Sequence, residues 1–257
     1  MDRRAFVAAA LASAATVRAA PAVALFEPAR VPAQGPVRIA MLLYPGMTAL
    51  DVVGPQAILA GLAPGSLHLV AASAGPVASD TGLSLVATVS YADCPAELDV
   101  LMVPGGDGTP AAMRDPALIA FVKERAARAA WVTSVCTGSL ILGAAGLLAG
   151  YRATSHWCVR DAVLPLLGAI PVDGRVVFDR NRVTAAGVSA GLDFALSLAG
   201  RLRGEDYART SQLVAEYAPR PPFEAGTPDA AGPAITEAAR AILADLARDA
   251  ARAARAL

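Results

Sequence analysis

The segment Trp131-Val132-Thr133-Ser134-Val135-Cys136-Thr137-Gly138-Ser139-Leu140 carries the strongest chemical signal in the chain. A buried-strand pattern runs into a cysteine, then into small residues, then into the start of a helix. This spacing suits a nucleophile elbow, in which a sharp strand-to-helix turn lifts one side chain above the C-terminal edge of a sheet. Gly138 permits close backbone approach. Free amides at the helix start would lower the pKa of the Cys136 thiol and hold a developing negative charge. The alternative is a structural cysteine, because a free thiol packs as a small hydrophobe. The strand–Cys–small–Gly–helix order favours the nucleophile.

Other residues belong near that thiol or compete with it. Asp51 precedes Val52-Val53-Gly54-Pro55 and predicts a helix start that it could cap. His156, in Ala153-Thr154-Ser155-His156-Trp157, is either the partner of a Cys–His pair or a structural hydrogen-bonding residue. Cys94, between Asp93 and Pro95, reads as structural, and Cys158 falls two residues beyond His156. Three cysteines leave at least one thiol unpaired, and with two histidines and no zinc-type spacing the chain predicts no metal site. No cofactor is expected.

A scaffold must hold these groups. Val37 to Leu43 is apolar apart from Arg38, predicting a buried strand that stops at Tyr44-Pro45-Gly46. Further strands are predicted at Leu67 to Ser73, Asp99 to Val103, Trp131 to Val135 and Arg152 to Ser155. Pro76 to Ser79 with Gly82 to Ser90 predicts a small hairpin, and Val176 to Asp179 with Arg182 to Ala186 a second pair. Helices are predicted from Asp115-Pro116 to Ala130, at Ser139 to Leu148, Ala190 to Leu202 and Asp206 to Tyr217. Alternation of this kind implies an α/β domain: a mostly parallel sheet covered by helices on both faces. Ala218 to Pro233 reads as a loop, and Ala234 to Leu257 as one terminal helix with Ile235, Ile242 and Leu246 near helical spacing. Residues 231–257 are therefore set apart from a main domain at 35–230.

Residues 1–34 read as an export signal and linker. Arg3-Arg4-Ala5-Phe6 is followed by an apolar Ala/Leu run and small residues around Ala19 to Ala24, which resembles a twin-arginine signal. Asp2 stands where Ser or Thr is usual. The apolar run is too short for a convincing membrane span, so a periplasmic or secreted location without a stable membrane anchor is expected. Across the 257 residues Lys plus Arg equals Asp plus Glu at 22 each, which gives no electrostatic footprint for nucleic acid. Of the residues, 55% are hydrophobic and 5% aromatic, so Ala, Val and Leu must build the core.

Val135-Cys136-Thr137-Gly138 resembles the cysteine elbow of the ThiJ/PfpI superfamily, related to class I glutamine amidotransferases. Pro104-Gly105-Gly106 is similar to the superfamily's glycine turn near the nucleophile. Asp51-Val52-Val53-Gly54-Pro55 matches the segment that places an acidic residue beside the thiol. The His156-Trp157 region and Ala186 to Asp193 match site-lining segments. The likeness runs from about Val37 to Tyr217 and implies a flavodoxin-like three-layer sandwich. Within the superfamily the chain resembles the isocyanide hydratases in Leu50-Asp51 with Gly54-Pro55, in Thr137, in Ala153 to Trp157, and in Glu216-Tyr217-Ala218-Pro219 with Pro221-Pro222-Phe223. Protease-like members carry His where this chain has Thr137.

The resemblance implies Cys136 as nucleophile, Asp51 as acid and then base, and Thr137 as an orienting group, acting on a small-molecule isocyanide. Gly105 and Gly106 would contribute backbone amides to an anion hole, and His156 and Trp157 would line the substrate. Burial would raise the Asp51 pKa. A homodimer is implied by analogy. Two alternatives stay open: glyoxalase or deglycase chemistry on reactive carbonyls, and a non-catalytic redox sensor or chaperone with an oxidised Cys136.

Overall fold

The computed structural model describes residues 35–257, so the export-signal segment lies outside the described residues. Val37–Leu42 (β1) comes first, buried at every position except Arg38. Ala49–Leu59 (α1) follows, then Gly65–Ala71 (β2). Gly75–Ala78 (β3) and Ser84–Ala87 (β4) make the expected antiparallel hairpin, after which Val89–Ser90 (β5) rejoins the main sheet. Val100–Val103 (β6) leads to Thr109–Ala112 (α2) and Pro116–Ala126 (α3). Asp115 caps α3, its Oδ1 accepting the amides of Ala117 and Leu118.

Trp131–Ser134 (β7) runs through the elbow into Gly138–Ala144 (α4). Arg152–Ala153 (β8), Trp157–Val163 (α5), a 3-10 turn at Leu164–Leu167 and Ile170–Pro171 (β9) come next. Val176–Asp179 (β10) and Arg182–Ala185 (β11) turn tightly at Arg180-Asn181, as the sequence suggests. Ala190–Arg203 (α6), Glu205–Val214 (α7), Pro228–Ile242 (α8) and Ala244–Arg255 (α9) complete the chain.

The main sheet has seven strands in the order β10-β11-β7-β6-β1-β2-β5. Every pairing is parallel except β10 with β11. Helices α1, α6 and α7 pack together as one group; α2, α4, α5 and α9 belong to another. The architecture is the flavodoxin-like α/β sandwich implied by the sequence. Strand order reverses at β1, whose neighbours are β2 on one side and β6 on the other. In open α/β sheets the crevice beyond the carboxyl ends at such a point is where ligands bind. The segments leaving β1, β6 and β7 carry Asp51, Gly105 and Cys136.

Several expectations need correction. Thr48, not Asp51, occupies the N-cap of α1, and Asp51 lies inside the first turn. β8 is short and pairs with β9 in a separate two-stranded sheet. The stretch read as loop to Pro233 already contains the start of α8. There Thr227 Oγ1 accepts the Ala230 amide and Pro228 opens the helix, a start signal hidden by the surrounding glycine and proline. The single terminal helix is two. The buried face of α9 is alanine (Ala250, Ala253 and Ala254), whereas Ile235 and Ile242 are exposed.

Candidate active site

Cys136 adopts φ 57°, a left-handed conformation that a non-glycine residue holds only under constraint. The constraint is visible on both sides of the residue. Its amide donates to the carbonyls of Ala185 (3.1 Å) and Ala186 (2.9 Å). Its carbonyl accepts the hydroxyls of Ser139 (3.3 Å) and Ser155 (3.1 Å). β11 and the β8–α5 connection thus clamp the elbow so that the thiol stands over the end of β7. The elbow predicted from sequence is present.

Asp51 is fully buried, and its carboxyl faces the Cys136 thiol. The Gly105 amide donates to Asp51 Oδ2 at 2.8 Å. Asp51 Oδ1 is buried without a well-formed hydrogen bond among the described residues. Burial raises the Asp51 pKa to about 7, the Gly105 amide and the Cys136 thiol oppose the rise, and the charge of Asp80 adds to it. The thiol itself is pushed up, first by burial and then by the Asp51 charge. The Thr137 amide and hydroxyl act the other way, favouring a negative sulfur. The helix start therefore moderates the thiol's pKa but does not lower it below the usual range, because the elbow is buried.

The two glycines are tools of close approach. A Cβ on Gly105 would sit 2.4 Å from the Thr137 amide nitrogen, 2.5 Å from its Oγ1 and 3.0 Å from the Cys136 Cβ. Gly106 has φ 138°, and its amide donates to Thr137 Oγ1 at 2.9 Å. Both amides are thus engaged within the protein. In place of the anion hole expected from sequence, they fix Asp51 and Thr137.

Thr137 also belongs to a buried polar thread that sequence reasoning missed. Its Oγ1 lies 2.7 Å from Thr109 Oγ1, which lies 3.1 Å from the Tyr44 hydroxyl. Tyr44 donates to the Pro104 carbonyl at 3.0 Å. With the phenol proton spent there, Thr109 donates to Tyr44, which leaves the Thr137 proton to Thr109, to the Gly106 carbonyl at 3.5 Å or to the sulfur. Tyr44 read as part of a turn and Thr109 as part of a small-residue loop, so neither had a periodic signal.

Among the described residues the hydrogen bonds of the His156 ring go to Cys158. His156 caps α5, its Nδ1 accepting the Cys158 amide at 3.4 Å and lying 3.1 Å from Cys158 Sγ. Burial lowers its pKa. Trp157 tilts against His156 with ring centroids 5.6 Å apart, and the Arg240 guanidinium lies over the Trp157 ring. Cys158 is near enough to Cys136 for its charge to raise that thiol, whereas Cys94 is buried beside Arg125. All three cysteines are free thiols. Among the described residues no cluster of three His, Cys, Asp or Glu side chains could hold a metal ion. No helix among them is long and apolar enough to cross a membrane.

Comparison with known proteins agrees with the fold. A protein named isonitrile hydratase from Pseudomonas putida is 52% identical over 204 residues, covering 79% of this chain and 89% of that one. The crystal structure of a ThiJ/PfpI family protein from Pseudomonas syringae superposes with a TM-score of 0.84 at 48% identity, covering 95% of this chain and 99% of that one. A DJ-1 superfamily protein from Salmonella typhimurium matches with a TM-score of 0.64 at 29% identity, covering 71% and 99%. Residues 37–201 match the DJ-1/PfpI family, and the chain belongs to it.

Proposed function

We propose that this protein hydrates isocyanides to N-substituted formamides, with Cys136 as nucleophile and Asp51 as acid and then base. The observation that carries this reading is the buried Asp51 carboxyl, with a pKa raised to about 7, set against a strained cysteine. The terminal carbon of R–N≡C needs a nucleophile and a proton at the same atom. A thiolate beside a carboxylic acid supplies both. The 52% identity to isonitrile hydratase supports the substrate class.

In the first step the Cys136 sulfur bonds to the isocyanide carbon and Asp51 delivers its proton there. The product is a thioimidate, R–N=CH–S, with Asp51 ionised. Asp51 then takes a proton from water while the oxygen bonds to the same carbon. The carbon–sulfur bond breaks, the electron pair returns to sulfur, and R–N=CH–OH shifts its proton to nitrogen as the formamide. Asp51 is left protonated, so the cycle closes. Thr137 orients the sulfur through its amide and hydroxyl, Gly105 and Gly106 hold Asp51 and Thr137, and His156 and Trp157 line the far side.

The same reading keeps the chain an exported homodimer. The Arg3-Arg4-Ala5-Phe6 start supports export, and the family resemblance supports the dimer. Intact-mass analysis during turnover tests the covalent step. A gain equal to one isocyanide, mapped to Cys136, is expected. Formamide release with Cys136 never modified, even in rapidly quenched samples, would contradict it.

A further inference from the structure

The start of α6 touches the elements that carry both reacting groups. A Cβ on Gly191 would lie 3.1 Å from Pro55 Cγ, on the Asp51 helix, and 3.4 Å from Val135 Cγ1, one residue before the nucleophile. Leu192 packs over Gly54 of the same helix. The turn that leads into α6, residues 186–189, reaches the elbow itself, because the Ala186 carbonyl accepts the Cys136 amide at 2.9 Å. The His156 ring rests on that turn at Gly187. A displacement of the turn would therefore reach Cys136 through Ala186 and the Asp51 helix through Gly191.

One residue grips this turn at both ends. Arg175 stands just before β10, and its carbonyl accepts the Ala186 amide at 2.9 Å, one step beyond the Val176–Ala185 pair of the β10–β11 ladder. Its guanidinium reaches the other end. Nε donates to Asp193 Oδ2 at 2.8 Å, and Nη2 lies 2.6 Å from the same oxygen and 3.4 Å from Ser189 Oγ. Ser189 occupies the N-cap of α6, yet its side chain accepts no helix amide; its hydroxyl faces Arg175 instead.

Asp193, in the first turn of α6, gathers a third element. The Tyr217 hydroxyl donates to its Oδ2 at 3.0 Å. Tyr217 is itself tied to the end of α7, its amide donating to the Gln212 carbonyl at 3.1 Å and its own carbonyl accepting the Gln212 side-chain amide at 3.0 Å. The edge of β10, the start of α6 and the segment after α7 thus meet at one carboxylate oxygen. Holding α6 on the sheet does not need this cluster, since Ala190, Phe194 and Leu198 are buried there. A half-exposed ion pair adds little to stability, but a fixed point shared by three elements restricts where the turn can sit, and small misplacements of reacting groups are costly to rate.

We infer that Arg175, acting through Ser189 and Asp193 and braced by Tyr217, is a positioning residue that fixes the 186–189 turn and with it the Cys136 amide and the spacing of the thiol from Asp51. Its effect on turnover rests on the hydration reading; its hold on the Cys136 amide does not.

The test is amide hydrogen exchange at Cys136 and Ala186, followed by NMR with the β1 amides as internal reference, beside kcat and KM for an aryl isocyanide. Arg175→Met keeps the carbonyl and the apolar stem and removes the guanidinium. Exchange at Cys136 and Ala186 should quicken about fivefold while the β1 amides keep their wild-type rate. The kcat should fall by about the same factor with KM unchanged, and Arg175→Lys, which can still reach Asp193, should restore part of both. Arg175→Met protein that melts earlier but exchanges at the wild-type rate at Cys136 and Ala186 would overturn the inference, and so would equal acceleration at β1. If Arg175→Met does not fold, Tyr217→Phe is decisive: a smaller acceleration confined to the same two amides supports the inference, and wild-type rates overturn it. Because exchange uses no isocyanide, quickened exchange in Arg175→Met beside a wild type that makes no formamide would sink the hydration reading alone.

Discussion

Gly105 stands between the Asp51 carboxyl and the Cys136 elbow, donating its amide to Asp51 Oδ2 at 2.8 Å while leaving no room for a Cβ beside Thr137. One residue thereby sets both the acid's orientation and the spacing of the acid from the thiol. Gly105→Ala must displace Thr137 or the elbow. Activity should fall at least 100-fold, and stability by about 1–3 kcal/mol, as overpacking of a filled site costs. Formamide kinetics and thermal unfolding check the two effects separately.

The raised pKa of Asp51 predicts a pH dependence with a definite sign. The first step needs a single proton on the Asp51–Cys136 pair, and with the thiol pushed above Asp51 that state forms as pH rises through about 7, so kcat/KM should rise through about 7 and decline only where the thiol itself ionises. Stability runs the other way. A buried carboxyl whose folded pKa exceeds its unfolded value contributes fully below the unfolded pKa and loses that contribution as pH rises through the folded one. Asp51→Asn, which cannot ionise, should abolish turnover. At pH 8 it should raise stability by roughly 1–3 kcal/mol relative to wild type, a difference that vanishes near pH 4. Calorimetry at the two pH values measures it.

The polar thread through Tyr44, Thr109 and Thr137 should matter more to rate than to binding. Thr109→Val removes the bridging hydroxyl and takes one hydrogen bond from each of its buried partners, Tyr44 and Thr137. A stability loss of about 1–2 kcal/mol is expected, with kcat lowered and KM little changed. Steady-state kinetics distinguish this from a general loss of folded protein.

His156 should not behave as a catalytic base. Its Nδ1 is directed at Cys158 and at the α5 start. His156→Ala should cost about 1 kcal/mol through the lost cap, and kcat should fall far less than in Asp51→Asn. A loss equal to that of Cys136→Ala would instead indicate a Cys–His pair.

The fold was legible because its signals are local. The largely apolar segments at β1, β6 and β7 read as buried strands, and Asp115-Pro116 and Arg180-Asn181 mark a cap and a turn. The elbow was legible because strand, cysteine, glycine and helix are contiguous. Asp51 was legible only through resemblance, since its residue type at a helix start equally suits a cap. Thr109 and Tyr44 were not legible. Each looks like an ordinary turn or small-loop residue, and its relation to the thiol exists only after three separate strand ends converge. The terminal helices were misread because the buried stripe of α9 is alanine, which hydrophobic periodicity ranks below the exposed Ile235 and Ile242.

Formamide production from a simple aryl isocyanide by wild type, Cys136→Ala and Asp51→Asn is the most direct test of the thiol–acid pair. Turnover by wild type that falls to background in both variants, each still folded, is predicted. Undiminished turnover in either folded variant, or none by folded and reduced wild type, would contradict the assignment.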